Sequence, residues 1–125
     1  MKASVKLAST LLLGAMAASA FAGLKQNYEV YFGTNPLKPY ADGDLAAARN
    51  SADGQQYIGC EATATAGNCY AVNSAGVYKS CATTDPAQLA VIRSLHGDGH
   101  LFFSWDTSGN CVNIRVRYDS LSPPK

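Results

Sequence analysis

Charge of one sign, long apolar runs and the short spacings that mark reactive cysteines or serines are all missing from this sequence. Its 10 Lys and Arg stand against 9 Asp and Glu, a balance that offers no basic surface to nucleic acid or to an anionic membrane. The apolar run from Leu7 to Ala18 is shorter than the roughly 20 residues that a membrane-spanning helix needs. No Cys-x-x-Cys pair occurs, which speaks against a thiol-disulfide oxidoreductase and against a zinc knuckle. No Gly-x-Ser-x-Gly is present to expose a serine nucleophile. Paired carboxylates are thin. Asp42 with Asp44 and Asp53 with Glu61 are neighbours suited to solvent, and so short a chain has little wall for holding two carboxyls across a cleft. These absences weigh against an enzyme, so no catalytic residue and no cofactor is assigned.

What is present begins with an address. Lys2 and Lys6, then the apolar run, then Ala20 and Ala22 around Phe21 follow the charged, apolar and small-residue order of a secretory signal peptide. Cleavage is expected after Ala22, with Ala20 as the second site, leaving Gly23 to Lys125 as a single small domain of 103 residues with no membrane span. Loss of Lys2 and Lys6 lowers the basic count from 10 to 8 against 9 acidic residues. All four cysteines, Cys60, Cys69, Cys81 and Cys111, lie after that segment. An even count in an exported chain reads as two disulfides and places the protein in the periplasm or outside the cell. Of the three possible pairings, one joins Cys69 to Cys81 across a hairpin and leaves Cys60 with Cys111. A second joins Cys60 to Cys69 and Cys81 to Cys111. The second is favoured because it staples the elements that flank a helix, although spacing does not decide between them.

Along the chain, Gln26 to Phe32 alternates with Tyr28, Val30 and Phe32 on one face and predicts a strand. Residues 33–56 turn to Gly, Pro, Asn, Asp and Ala, and read as a long loop that carries a short helix, Leu45 to Arg49, capped by Asp44. Tyr57 to Thr63, Cys69 to Asn73, Val77 to Ala82, Leu101 to Trp105 and Cys111 to Tyr118 read as further strands. Asn73-Ser74-Ala75-Gly76 and Asp106-Thr107-Ser108-Gly109 share one turn chemistry: an amide or carboxylate at the first position bonds the backbone ahead, and glycine takes positive φ at the fourth. Asp85 and Pro86 open the main helix, about residues 86–96, with Gln88 completing a capping box and Gly97 as its C-terminal cap. Residues 119–125 should fray. The expected fold is α+β: one small antiparallel sheet of five to six strands, with the helix packed on one face and two disulfides in the core of residues 57–118.

Two surface features carry what functional signal there is. His96, Asp98 and His100 are the only clustered metal-capable side chains and define a candidate zinc or copper site in a glycine-rich turn. Leu101, Phe103 and Trp105 share one face of their strand, so Phe102 points outward. With Arg115, Arg117 and Lys79 it defines a candidate patch for a protein or glycan partner.

Ile58-Gly59-Cys60, Asn73-Ser74-Ala75-Gly76 with its flanking cysteines, the proline-started helix, and Trp105 before Asp106-Thr107-Ser108-Gly109-Asn110-Cys111 form a pattern that resembles a group of small exported bacterial proteins with four cysteines and no assigned activity. The resemblance covers residues 57–118 and implies a secreted, disulfide-bearing domain. The expected function is a non-enzymatic binding or interaction module. The alternatives are a protease or hydrolase inhibitor that offers the 33–56 loop, and a small metal-binding protein or hydrolase that uses His96, Asp98 and His100.

Overall fold

The computed structural model describes residues 23–35 and 38–122; the expected signal peptide lies outside the described residues. Seven strands and two short helices occur among them: β1 (Tyr31–Asn35), β2 (Lys38–Asp44), α1 (Leu45–Arg49), β3 (Tyr57–Ala62), β4 (Gly67–Val72), β5 (Tyr78–Thr83), α2 (Pro86–Arg93), β6 (His100–Trp105) and β7 (Cys111–Arg117). The strands form two antiparallel sheets, a four-stranded one in the order β1-β2-β6-β7 and a three-stranded one in the order β3-β4-β5. This overturns the expectation of a single five- or six-stranded sheet under one main helix. The protein is mostly β.

The reason lies in β2. Its sequence, Lys-Pro-Tyr-Ala-Asp-Gly-Asp, has the composition of a turn, yet tertiary context makes it a strand. Ala41 is fully buried opposite Phe103, and Asp44 is fully buried opposite His100. With β2 in place, the β6–β7 hairpin pairs onto it and not onto the β3–β5 meander, so the strands divide. Residues 33–56 are therefore no long loop, and they place Ala41, Ala46, Ala47 and Ala48 in the interior.

The inner faces of the two sheets share one apolar cluster. Ala41, Leu101, Phe103 and Ile114 come from the four-stranded sheet, and Ile58, Cys69, Ala71 and Cys81 from the three-stranded sheet. Period-two alternation sends these residues inward and their neighbours outward. Helix α2 is shorter than the sequence suggests, ending at Arg93 with Ser94 as its C-cap before Gly97 is reached. It buries only Leu89 and Ile92 and fills the space beside β3 and β7. Asp85 accepts from the Ala87 amide at 2.8 Å, as an N-cap should. Gln88 leaves the capping-box role. Its carboxamide oxygen takes the Thr83 hydroxyl, and its nitrogen donates to the carbonyls of Cys111 and Val112, each at 3.2 Å. It ties helix, β5 and β7 together instead.

Cys60 is bonded to Cys69 and Cys81 to Cys111. This is the favoured pairing, and the register explains why the hairpin alternative had to be weighed: Cys69 stands opposite Cys60 on one side and opposite Cys81 on the other. One bridge lies within the three-stranded sheet, and the other crosses to β7. Two disulfides fit a protein of an extracellular or periplasmic compartment. Among the described residues no helix is long and apolar enough to cross a membrane.

Candidate functional site

The outer face of the four-stranded sheet gathers aromatic and charged side chains in a row across all four strands. Tyr31 on β1 faces Tyr40 on β2, with ring centroids 6.3 Å apart. Tyr40 stacks on Phe102 of β6 at 5.1 Å. The Arg115 guanidinium of β7 lies over the Phe102 ring at 4.7 Å. The Tyr40 ring reaches back over Gly33, where an added Cβ would stand 2.5 Å from the phenol carbon Cζ. Glycine at that point of β1 is what lets the ring settle on the sheet. Aromatic pairs and a guanidinium on a ring add about 0.5–1.5 kcal/mol each beyond the area they cover, so the row holds its own shape before any partner arrives. Beside it is an open recess of ≈ 460 Å³ lined by Thr34, Tyr40, Asp42, Phe102, Asn113 and Arg115.

Of the residues singled out in the sequence, Phe102 and Arg115 belong to this surface. Arg117 shares the sheet face but turns to the segments that flank the sheet: its guanidinium lies 5.3 Å from the Tyr28 ring, and its Nε is 2.9 Å from Asp119. Lys79 sits on β5 in the other sheet, so the structure does not join it to the patch. Sequence reasoning misses Tyr40 and Asp42 because β2 has the composition of a loop, and it misses Tyr31 because the neighbours that complete the row lie on β2. Their signal was present as the period-two spacing of Tyr40, Asp42 and Asp44.

The metal-capable turn is pulled apart. His100 is buried on β6, and its Nδ1–H donates to Asp44 at 2.9 Å while Nε2 lies 3.7 Å from Asp42. His96 instead packs its ring on Tyr118, at 5.4 Å between centroids, and its backbone amide donates to the Tyr118 hydroxyl. Among the described residues no group of three or more His, Cys, Asp or Glu side chains is placed to hold a metal ion. Asp44 is the N-cap residue of α1 by position, but its carboxylate makes no capping bond. It accepts from His100, from the Tyr28 amide at 3.2 Å and from the Ser122 hydroxyl at 3.1 Å. The segment before β1 and the one after β7 are thereby tied to the end of the sheet, helped by a bond from the Gln26 amide to the Leu121 carbonyl at 2.8 Å. Of the tail expected to fray, Ser122 is bonded to Asp44, and residues 123–125 lie outside the described residues. Burial is the largest single influence on the His100 ring and disfavours its charged form. The carboxylates of Asp42 and Asp44 together outweigh it, and the pKa lies above the ordinary 6.5.

Comparison with models of protein families, with curated proteins and with solved structures gives no match.

Proposed function

We propose that the protein is a non-enzymatic binding module whose contact surface is the outer face of the four-stranded sheet. The row Tyr31, Tyr40, Phe102 and Arg115 is the observation that carries this reading. Tyrosine and arginine supply large, amphipathic contact area and are the residue types on which binding energy concentrates. Tyr31 stands 59% exposed at the end of the row, and the recess beside it adds the carboxylate, amide and hydroxyl groups that set orientation. The partner is a protein or a glycan met in the periplasm or outside a bacterial cell, where residues 1–22 deliver the chain as a signal peptide. The likeness of residues 57–118 to small exported bacterial proteins agrees with that setting.

Arrays of glycans and of extracellular protein segments, probed with the processed protein and with Phe102→Ala and Arg115→Ala, test the reading. Binding that falls at least about tenfold, or 1.4 kcal/mol, in both variants is expected. Hits of equal strength in wild type and variants would move the contact surface elsewhere, and silence on both arrays would remove the binding role.

A further inference from the structure

A second recess of ≈ 380 Å³ lies on a different part of the molecule, between α1, β3 and the turn that follows α2. Its walls are apolar where Leu45 and Ala48 of α1 meet Ile58 of β3 and Leu95. Its mouth carries the Arg49 guanidinium with His96 beside it, and no Asp or Glu lines it. Arg49 is fixed there by one bond, from Nη2 to the Gly97 carbonyl at 3.2 Å. A guanidinium has five N–H donors, so the rest of the fork stays available. The Gln56 side chain also lines the space, but its groups are spent: the oxygen accepts from the Val30 amide at 2.9 Å, and the nitrogen donates to Asp53 at 2.7 Å. His96 is steadied by its packing on Tyr118.

From this geometry we infer that the recess binds a small organic carboxylate with an apolar body. The aliphatic walls take the hydrocarbon part out of water, and the planar Arg49 fork takes the carboxylate in the two-pronged fashion that suits it. The volume lies within the range of small-ligand sites. A neutral ligand would leave the cationic mouth without a counter-charge, whereas a bare inorganic anion would leave the apolar wall wet. The inference is independent of the sheet-face reading, because the two recesses share no lining residue.

Titration with benzoate, benzamide and acetate, followed by amide and methyl NMR, separates the contributions. Benzoate at millimolar concentration is expected to shift the Ile58 and Leu95 methyls together with the Arg49 side chain and the His96 amide. Benzamide and acetate should each bind at least about tenfold more weakly. Arg49→Gln should weaken benzoate to the level of benzamide, and Arg49→Lys, which keeps the charge and loses the fork, should fall between them. The inference is overturned if benzoate shifts none of these resonances, if benzamide binds as well as benzoate, or if the shifts gather on the sheet face. Because the wild-type titration alone can give each of these results, a variant that misfolds leaves the decision intact.

Discussion

The two sheets wall the same core but are fastened by different chemistry. The three-stranded sheet is covalent: one disulfide spans β3 and β4, and the other leaves β5 for β7. The four-stranded sheet has no bridge within it. Its β2–β6 end is closed instead by buried Asp44 and His100, with Tyr28 and Ser122 laid against Asp44. A covalent fastening is indifferent to pH, while an ionic one depends on the protonation of a single imidazole. The difference predicts that reduction loosens one half of the molecule and a rise in pH through the His100 titration the other.

Removing the staples should give the largest effect and should rank them. The Cys81–Cys111 bridge closes a separation of 30 residues and Cys60–Cys69 one of 9. If loop-closure entropy of the unfolded chain dominates, the double substitution Cys81→Ala with Cys111→Ala costs about 3.5 kcal/mol, and Cys60→Ala with Cys69→Ala about 2.5 kcal/mol. Urea midpoints at fixed pH measure both. The reverse order would show that the short bridge acts by holding native geometry and not by restricting the unfolded chain. The single change Cys60→Ser sharpens the point. Cys69 then faces Cys81 with no partner on its other side, and peptide mapping should find a Cys69–Cys81 bridge with Cys111 free in part of the population.

The ionic fastening should give a smaller effect with a definite sign. His100 titrates higher in the folded protein than its ordinary 6.5. Its contribution is therefore complete below 6.5, where the folded and unfolded chains both carry the proton, and is lost as pH rises through the folded value. The groups around the ring are Asp42 and Asp44 of β2, Tyr28 of the leading segment and Arg117 of β7. Melting temperature should fall across that window in the wild type. In Asp44→Asn the step should move to lower pH and shrink, with the His100 ring resonances reporting the same shift by NMR. A wild-type melting temperature that is flat or rises there would show that the cluster does not fasten the sheet.

The contrast also explains what could be read from residue order. The meander β3–β5, the β6–β7 hairpin, both turns, the start of α2 and the outward course of Phe102 and Arg115 are local: period-two alternation, Asn-x-x-Gly and Asp-x-x-Gly, and Asp-Pro act within a few residues of themselves. The four-stranded sheet is non-local. Its second strand holds Pro39, Gly43, Asp42 and Asp44, all turn-forming by habit, and it becomes a strand only because Phe103 needs Ala41 and His100 needs Asp44. His100 belonged to a metal candidate on spacing alone, since nothing in the order of residues shows that a carboxylate 56 positions earlier will be its partner. The same gap hid Tyr40 and Asp42 from the candidate surface.

The smallest expected effect compares the one device that both sheets share. In the three-stranded sheet Asn73 Oδ1 accepts from the amides of Ala75 and Val77, each at 3.0 Å, and Gly76 closes the turn at φ 78°. In the four-stranded sheet Asp106 Oδ1 accepts from Ser108 at 2.9 Å and Asn110 at 3.0 Å, and Gly109 closes at φ 80°. Alanine at either glycine should cost about 1 kcal/mol, because a Cβ disfavours positive φ. Gly76→Ala should cost slightly more, since its Cβ would press to 3.0 Å on the Gln55 side-chain oxygen, whereas Gly109 has open space. Only the second turn carries charge. The Asn110 and Ser108 amides draw the Asp106 carboxylate below its ordinary 3.8, so its contribution is full above 3.8 and is lost as pH falls through the folded value. Asp106→Asn should leave stability at neutral pH nearly unchanged and remove that acid-side loss, because Asn73 already performs the same bonding without a charge. A marked loss at neutral pH in Asp106→Asn, read by urea midpoint, would show that the charge and not the turn geometry holds the second hairpin.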